Sequence, residues 1–174
     1  GHHFFAESEN RGINWWKGFQ EKRSFKKSDA VLGVSQYVFD HTSTYLSFSD
    51  KKVGVISNPA NLSRFYQADP TKRVNGRIFF AGTVCEKKGI RQLIQAMPLI
   101  RELAPEAHLH IAGRDWKFPG SGRSFIEYLH AFIHPSVKDH ICFLGPVPNL
   151  EIPRLIEEAE VCCYPSHMEA MPLA

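Results

Sequence analysis

The feature that most limits what this chain can become is a run of short apolar segments separated by amphipathic ones, from residue 77 to residue 164. Segments 77–81, 108–112, 141–144 and 161–164 are each four or five residues long and largely apolar, too short for helices and right for strands buried on both faces. Between them, apolar residues recur at helical spacing: Ile90, Leu93, Ile94, Met97 and Ile100, then Phe125, Ile126, Leu129, Phe132 and Ile133, then Ile152, Leu155 and Ile156. Each set makes one helix stripe. Strands alternating with helices bury their faces as a parallel sheet wrapped by those helices, so the spacing predicts an α/β, Rossmann-like parallel sheet with flanking helices.

Upstream the pattern is thinner. Residues 30–34 read as a strand, Ser35 as the cap of a helix carrying Val38, Phe39, Thr42, Tyr45 and Leu46, and 53–56 as another strand. The stretch from Ser57 through Asp69-Pro70 to Asn75-Gly76 is polar and turn-rich, which predicts one domain over 1–57, a linker over 58–75 and a second domain over 76–174. With 174 residues and 43% hydrophobic content, the chain can bury one sizeable core or two small ones. A net charge of +3 sets up no general field for nucleic acid. Cys85, Cys142, Cys162 and Cys163 are too few and too apolar in context for a disulfide scaffold and read as buried free thiols of a reducing compartment. No apolar stretch approaches the roughly 20 residues of a membrane span, and no signal-peptide pattern opens the chain, so the expected location is cytoplasmic.

The densest chemistry lies between Gly82 and Gly89. A strand ends at Gly82, and Lys88-Gly89 opens a helix, so backbone N–H groups and an ammonium converge on one space, as a diphosphate site requires. An ordinary turn between strand and helix with a solvated Lys88 fits the same residues.

Residues 79–89, Phe79-Phe80-Ala81-Gly82-Thr83-Val84-Cys85-Glu86-Lys87-Lys88-Gly89, combine with the ending Pro165-Ser166-His167-Met168-Glu169-Ala170-Met171-Pro172-Leu173-Ala174. In order and spacing they resemble the donor-binding half of a retaining glycosyltransferase of family four (glycosyl transferases group 1), whose two Rossmann-like domains form the GT-B architecture. Ala112-Gly113-Arg114-Asp115, Phe143-Leu144-Gly145-Pro146-Val147-Pro148, the segment from Asp29 to Ser35 and the Asn58-Pro59 pair extend the resemblance over residues 29–174. It implies that residues 1–57 are the C-terminal part of an acceptor-side domain and that 76–174 are an incomplete nucleotide-sugar domain. Glu169 would be catalytic, touching the donor sugar. Gly82, Thr83, Lys88, Gly113, Arg114, Leu144, Gly145, Ala170, Met171 and Leu173 would bind the donor. Relatives carry Arg where Thr83 stands, so here Lys87 or Arg114 would replace that charge. Pro172, standing where relatives have Gly, has no N–H to offer. The family's second Glu would fall beyond Ala174, so the chain reads as a fragment, inactive by itself.

The implied reaction moves a sugar from a nucleoside-diphosphate sugar to a saccharide or lipid-linked acceptor with retention, in polysaccharide biosynthesis, with no cofactor and no metal. A sugar-nucleotide epimerase or phosphorylase of the same architecture, and a non-catalytic nucleotide-sugar-binding module, are the alternatives; Thr83 and Pro172 point to the last.

Two other patterns invite partners. His108 and His110 alternate on one strand and His130 and His134 stand one helical turn apart, but no cysteine completes a zinc set and no Glu neighbours the pair. Within 11–27, Trp15, Trp16, Phe19 and Phe25 mix with Arg11, Lys17, Lys22, Arg23, Lys26 and Lys27 against the single acid Glu21. That mixture suits peripheral contact with an anionic membrane on its inner face. It equally suits a helix burying its aromatics in the first domain, which Phe19 and Phe25 favour.

Overall fold

The computed structural model describes residues 12–48, 50–59, 63, 68–118, 120–167 and 169–171. The chain divides into two compact units, Gly1–Ala60 with Met168–Leu173, and Asn61–His167 with Ala174.

The second unit holds the strand and helix series. Strands β3 (Arg77–Ala81), β4 (His108–Ala112), β5 (Ile141–Gly145) and β6 (Val161–Cys162) form one parallel sheet in the order β5-β4-β3-β6. Alternate residues of β3 face opposite sides, which is why the run is apolar throughout. Ile78 and Phe80 join Leu109 and Ile111 under helices α3 (Ile90–Leu103) and α4 (Phe125–Leu129), which bring Ile90, Leu93, Ile94, Met97, Phe125 and Leu129. Phe79, Ala81 and Ala112 face Leu155 of helix α5 (Ile152–Glu157) and Ala159.

The fold class is the expected one, with local differences. Helix α4 gives way to a 3-10 turn at His130–Phe132, because Pro135 holds His134 extended and closes off the helix. Strand β6 keeps two residues instead of four: it pairs only with β3, and beyond Cys163, whose N–H still donates to Phe79 O at 2.9 Å, the chain leaves the sheet. All four cysteines are free, but Cys142 is exposed on the edge strand β5 instead of buried, since nothing pairs beyond that strand within the sheet.

The first unit is small. Asn14 caps helix α1 (Trp15–Lys27) by accepting from Lys17 N–H at 3.1 Å. Strand β1 (Ala30–Gly33) leads through Ser35, which accepts from Val38 N–H at 3.2 Å, into helix α2 (Gln36–Ser43). Strand β2 (Lys52–Val55) pairs in parallel with β1. The core is Val31, Leu46 and Phe48, with the Phe25 and Phe39 rings 5.5 and 5.6 Å from that of Phe48. Phe25 thus finds the core expected for it, whereas Phe19, Trp15 and Trp16 are 50%, 75% and 51% exposed.

Candidate functional site

The carboxyl ends of β3, β4 and β5 bring three glycines side by side. Gly82 N–H donates to Ala112 O at 2.9 Å, and Gly113 N–H to Gly145 O at 2.8 Å. Gly113 has φ +155°, and a side chain there would collide with the Gly82 carbonyl, so the two strand ends meet backbone to backbone. The register continues past them: Ala81 pairs with Ala112, and Val84 pairs with Asp115. A bulge in β5 skips Leu144, since Ile111 pairs with Phe143 and Ala112 with Gly145. This leaves Leu144 exposed at the rim.

Successive units from β3 to β5 advance across the sheet in one direction, whereas β6 lies on the other side of β3. The carboxyl ends of β3 and β6 therefore flank the point where the strand order reverses, the place where open α/β sheets hold ligands. There the chain forms a 3-10 turn, Glu86–Lys88, before α3 begins. Gly89 joins the two at φ +69°, and a Cβ on it would strike the Pro165 carbonyl. Backbone conformation and space thus require glycine independently. His167 N–H donates to Lys87 O at 2.9 Å, tying the loop after β6 to this turn. Lys88 is half-buried at the end of the turn, and the first amides of α3, like those of any helix, have no intrahelical acceptor.

The acids of the region are held by other groups. Arg91 Nε lies 3.0 Å from both oxygens of Glu86, and Gln92 Nε2 adds a bond at 3.3 Å. The Arg91 bond holds the Glu86 carboxyl below its ordinary range. Asp115 Oδ1 accepts from the N–H groups of Phe125 and Ile126, both at 3.0 Å, at the start of α4, and Oδ2 meets Lys117 Nζ at 2.7 Å. Burial pushes the Asp115 carboxyl up, but Lys117, the Ile126 amide and Ser124 together outweigh it and lower its pKa. Sequence reasoning assigned neither acid a role. The Ser124-Phe125-Ile126-Glu127 capping pattern was a local signal for α4, and Ser124 Oγ does accept from Glu127 N–H at 3.0 Å; no local signal marked Asp115. Below the turn, burial raises the Tyr164 hydroxyl to about 12, so it stays neutral beside Phe80.

In the first unit, Glu169 is half-buried. The Ala170 carbonyl accepts the Ser35 hydroxyl at 2.6 Å, and Met171 Sδ accepts Asn58 N–H at 3.3 Å. The atoms engaged are a carbonyl and a thioether, not the amides assigned to the donor. Leu173 and Arg11 lie outside the described residues.

The histidine pairs do not extend into a cluster. The His108 and His110 rings lie 5.1 Å apart, and burial, then Arg77 and His108, lower the pKa of His110. Among the described residues, no three His, Cys, Asp or Glu side chains come together in a way that would hold a metal ion, and no helix is long and apolar enough to cross a membrane.

Residues 66–174 match the family model described as glycosyl transferases group 1. The chain is 26% identical over 155 residues to the uncharacterized glycosyltransferase YqgM of Bacillus subtilis, covering 88% of this chain and 40% of that protein. Its fold is similar to that of a sucrose-phosphate synthase from Thermosynechococcus elongatus, with a TM-score of 0.75 and 20% identity over 92% of this chain and 41% of that one. It is also similar to Anabaena Alr3699/HepE, solved in complex with UDP and glucose, with a TM-score of 0.63 and 17% identity over 82% of this chain and 39% of that one. The chain thus spans less than half the length of each of these proteins.

Proposed function

The chain belongs to the glycosyl transferases group 1 family, and from that premise we propose that the whole protein is a retaining, family-four hexosyltransferase using a nucleoside-diphosphate sugar. The acceptor in this reading is a saccharide or lipid-linked saccharide in polysaccharide biosynthesis, and no cofactor is needed. One observation carries it: the apposed glycine strand ends, beside a glycine-hinged helix start at the strand-order reversal, leave bare backbone where a diphosphate would need close approach.

As the bond between sugar and diphosphate breaks, negative charge grows on the leaving group, and donors already in place stabilise it without reorganising. Lys88 and the first amides of α3 take that role, with Gly82, Thr83, Gly113 and Arg114 beside them. Leu144 and Gly145 lie toward the nucleotide base. Glu169 acts on the sugar, where its carboxylate stabilises positive charge developing at the anomeric carbon, and the amides of Ala170, Met171 and Leu173 complete the donor contacts. Residues 1–57 belong to the acceptor side, 58–75 link the domains, and 76–174 bind the donor. The α1 helix supports work at the inner face of the cytoplasmic membrane: Trp15, Trp16 and Phe19 are exposed on a helix that also carries Lys17, Lys22, Arg23, Lys26 and Lys27.

The test is calorimetry with UDP, GDP and ADP on the unsubstituted protein and Lys88→Ala, followed by turnover with the matching sugar. A loss of about 1–3 kcal/mol in affinity is expected, the scale of a charge-assisted hydrogen bond. Unchanged affinity would make this turn purely structural. Isomerised donor without acceptor would establish an epimerase, sugar phosphate a phosphorylase, and binding without turnover a binding module.

A further inference from the structure

We propose that Glu86 and Arg91 form a positioning clasp, which fixes the 86–88 turn on α3 across Gly89 and so holds Lys88 in place for a diphosphate. This rests on the diphosphate reading of the 82–89 turn. Gly89 joins turn and helix at φ +69°, a conformation glycine adopts readily but does little to enforce. Nor does a side chain cap either segment: Cys85 before the turn and Gly89 before α3 make no capping bond. Helices α1, α2 and α4, by contrast, are capped by Asn14, Ser35 and Ser124. A capping side chain on α3 would occupy the first amides, the ones an anion needs.

Glu86 ties the two segments through side chains instead. Its carboxylate accepts from Arg91 Nε, 3.0 Å from both oxygens, from Arg91 Nη2 at 2.5 Å and from Gln92 Nε2 at 3.3 Å. These donors belong to the first turn of α3, so every one of the bonds spans Gly89. Arg91 is braced in turn. Its guanidinium carbon lies over the Phe132 ring, 5.5 Å from the centre, and Phe132 packs edge-on against Tyr128 with ring centres 4.9 Å apart. Helix α4 and the 3-10 turn after it therefore back the clasp.

The Arg91 and Glu86 side chains are 28% and 43% exposed, and an isolated ion pair at such a surface contributes little to stability. A two-pronged guanidinium contact over an aromatic ring has a fixed geometry, which is what positioning requires. The sign of the charge separates positioning from plain electrostatics. Glu86 is an acid close to the proposed anion site, so by Coulomb attraction alone its neutralisation would strengthen anion binding. If Glu86 instead holds the turn that carries Lys88, the same substitution weakens binding.

The experiment titrates UDP, GDP and ADP by calorimetry into the protein and its variants. Glu86→Gln and Arg91→Gln should each weaken the nucleoside diphosphate that binds by about threefold to tenfold, and the double variant no more than either alone, because both open one clasp. In a Lys88→Ala background neither substitution should lower affinity further, whereas a general loosening of the fold would lower it there too. If Lys88→Ala weakens binding but Glu86→Gln leaves it unchanged or tighter, or Arg91→Gln leaves it unchanged, the clasp is overturned while the diphosphate site stands. Losses that add in the double variant, or that persist without Lys88, overturn it as well. If Lys88→Ala leaves affinity unchanged, or none of the three nucleotides binds the unsubstituted protein, the diphosphate reading falls and this proposal with it.

Discussion

The two units solve the burial problem with unequal resources. In the second, four strands between helix layers give Phe79, Phe80, Leu109, Ile111, Ile90, Ile94 and Met97 exposures of 0 or 1%. In the first, a two-stranded ribbon buries Val31, Leu46 and Phe48, while Leu32, Val53 and Ile56 stay 50 to 61% exposed. Both are parallel and both alternate strand with helix. The contrast teaches that the strand–helix pattern specifies topology, whereas stability depends on how many faces the topology covers, since the hydrophobic contribution follows area removed from water.

The largest expected effect tests that contrast directly. Phe80→Ala should cost about 3–5 kcal/mol, the range for emptying a packed aromatic site. Val31→Ala removes two methyl-sized groups and should cost about 1–2 kcal/mol. Hydrogen exchange reports them separately: the first variant should lower protection in β3 and β4, the second only in β1 and β2. Equal losses across both units from either variant would show that they unfold together and would break the comparison.

The next prediction divides chemistry between the units. Glu169 groups with the first and Lys88 with the second. Glu169→Gln keeps the shape and removes the charge, so in the whole protein turnover should fall by about a hundredfold, or about 2.7 kcal/mol, with affinity for the bare nucleoside diphosphate unchanged. Lys88→Ala should show the reverse emphasis, an affinity loss. Turnover preserved in Glu169→Gln would remove the carboxylate from the reaction.

The smallest effect is in pH. Arg91 depresses the Glu86 carboxyl, and Lys117 with the Ile126 amide outweighs burial to depress that of Asp115. A carboxyl depressed in the folded state adds stability above its unfolded pKa and loses it as pH falls through the folded value. The second unit should therefore lose protection as the solution is acidified below roughly pH 4, modestly, because the Glu86 side chain is 43% exposed. Glu86→Gln should flatten that dependence, and an unchanged acid limb in this variant would place the pH sensitivity elsewhere.

Much of the second unit was legible because its signals are local. The stripe Ile90, Leu93, Ile94 and Met97 is buried as its spacing required, and the apolar runs at 77–81 and 108–112 became the two central strands. Edges were read less well: Cys142, inside an apolar run, is exposed because β5 has one neighbour, and β6 is short because its chain turns away toward Gly89. In α1, Phe19 and Phe25 looked alike in sequence, yet only Phe25 meets Phe48. Composition cannot distinguish two aromatics when only one side of a helix meets a core.

By itself the sequence determined where most strands and helices lie and the cap at Ser35, though not every element's end, because periodicity and capping act within a few residues. Only the tertiary structure decided that Gly89 lies under the Pro165 carbonyl, that Asp115 serves the start of α4, that Ser35 also holds Ala170, and that Arg114 stands across from Thr83. These pairs are set by strand register and loop closure. Residues 31 positions apart along the chain, as Val84 and Asp115 are, become neighbours only when two strand ends are laid side by side.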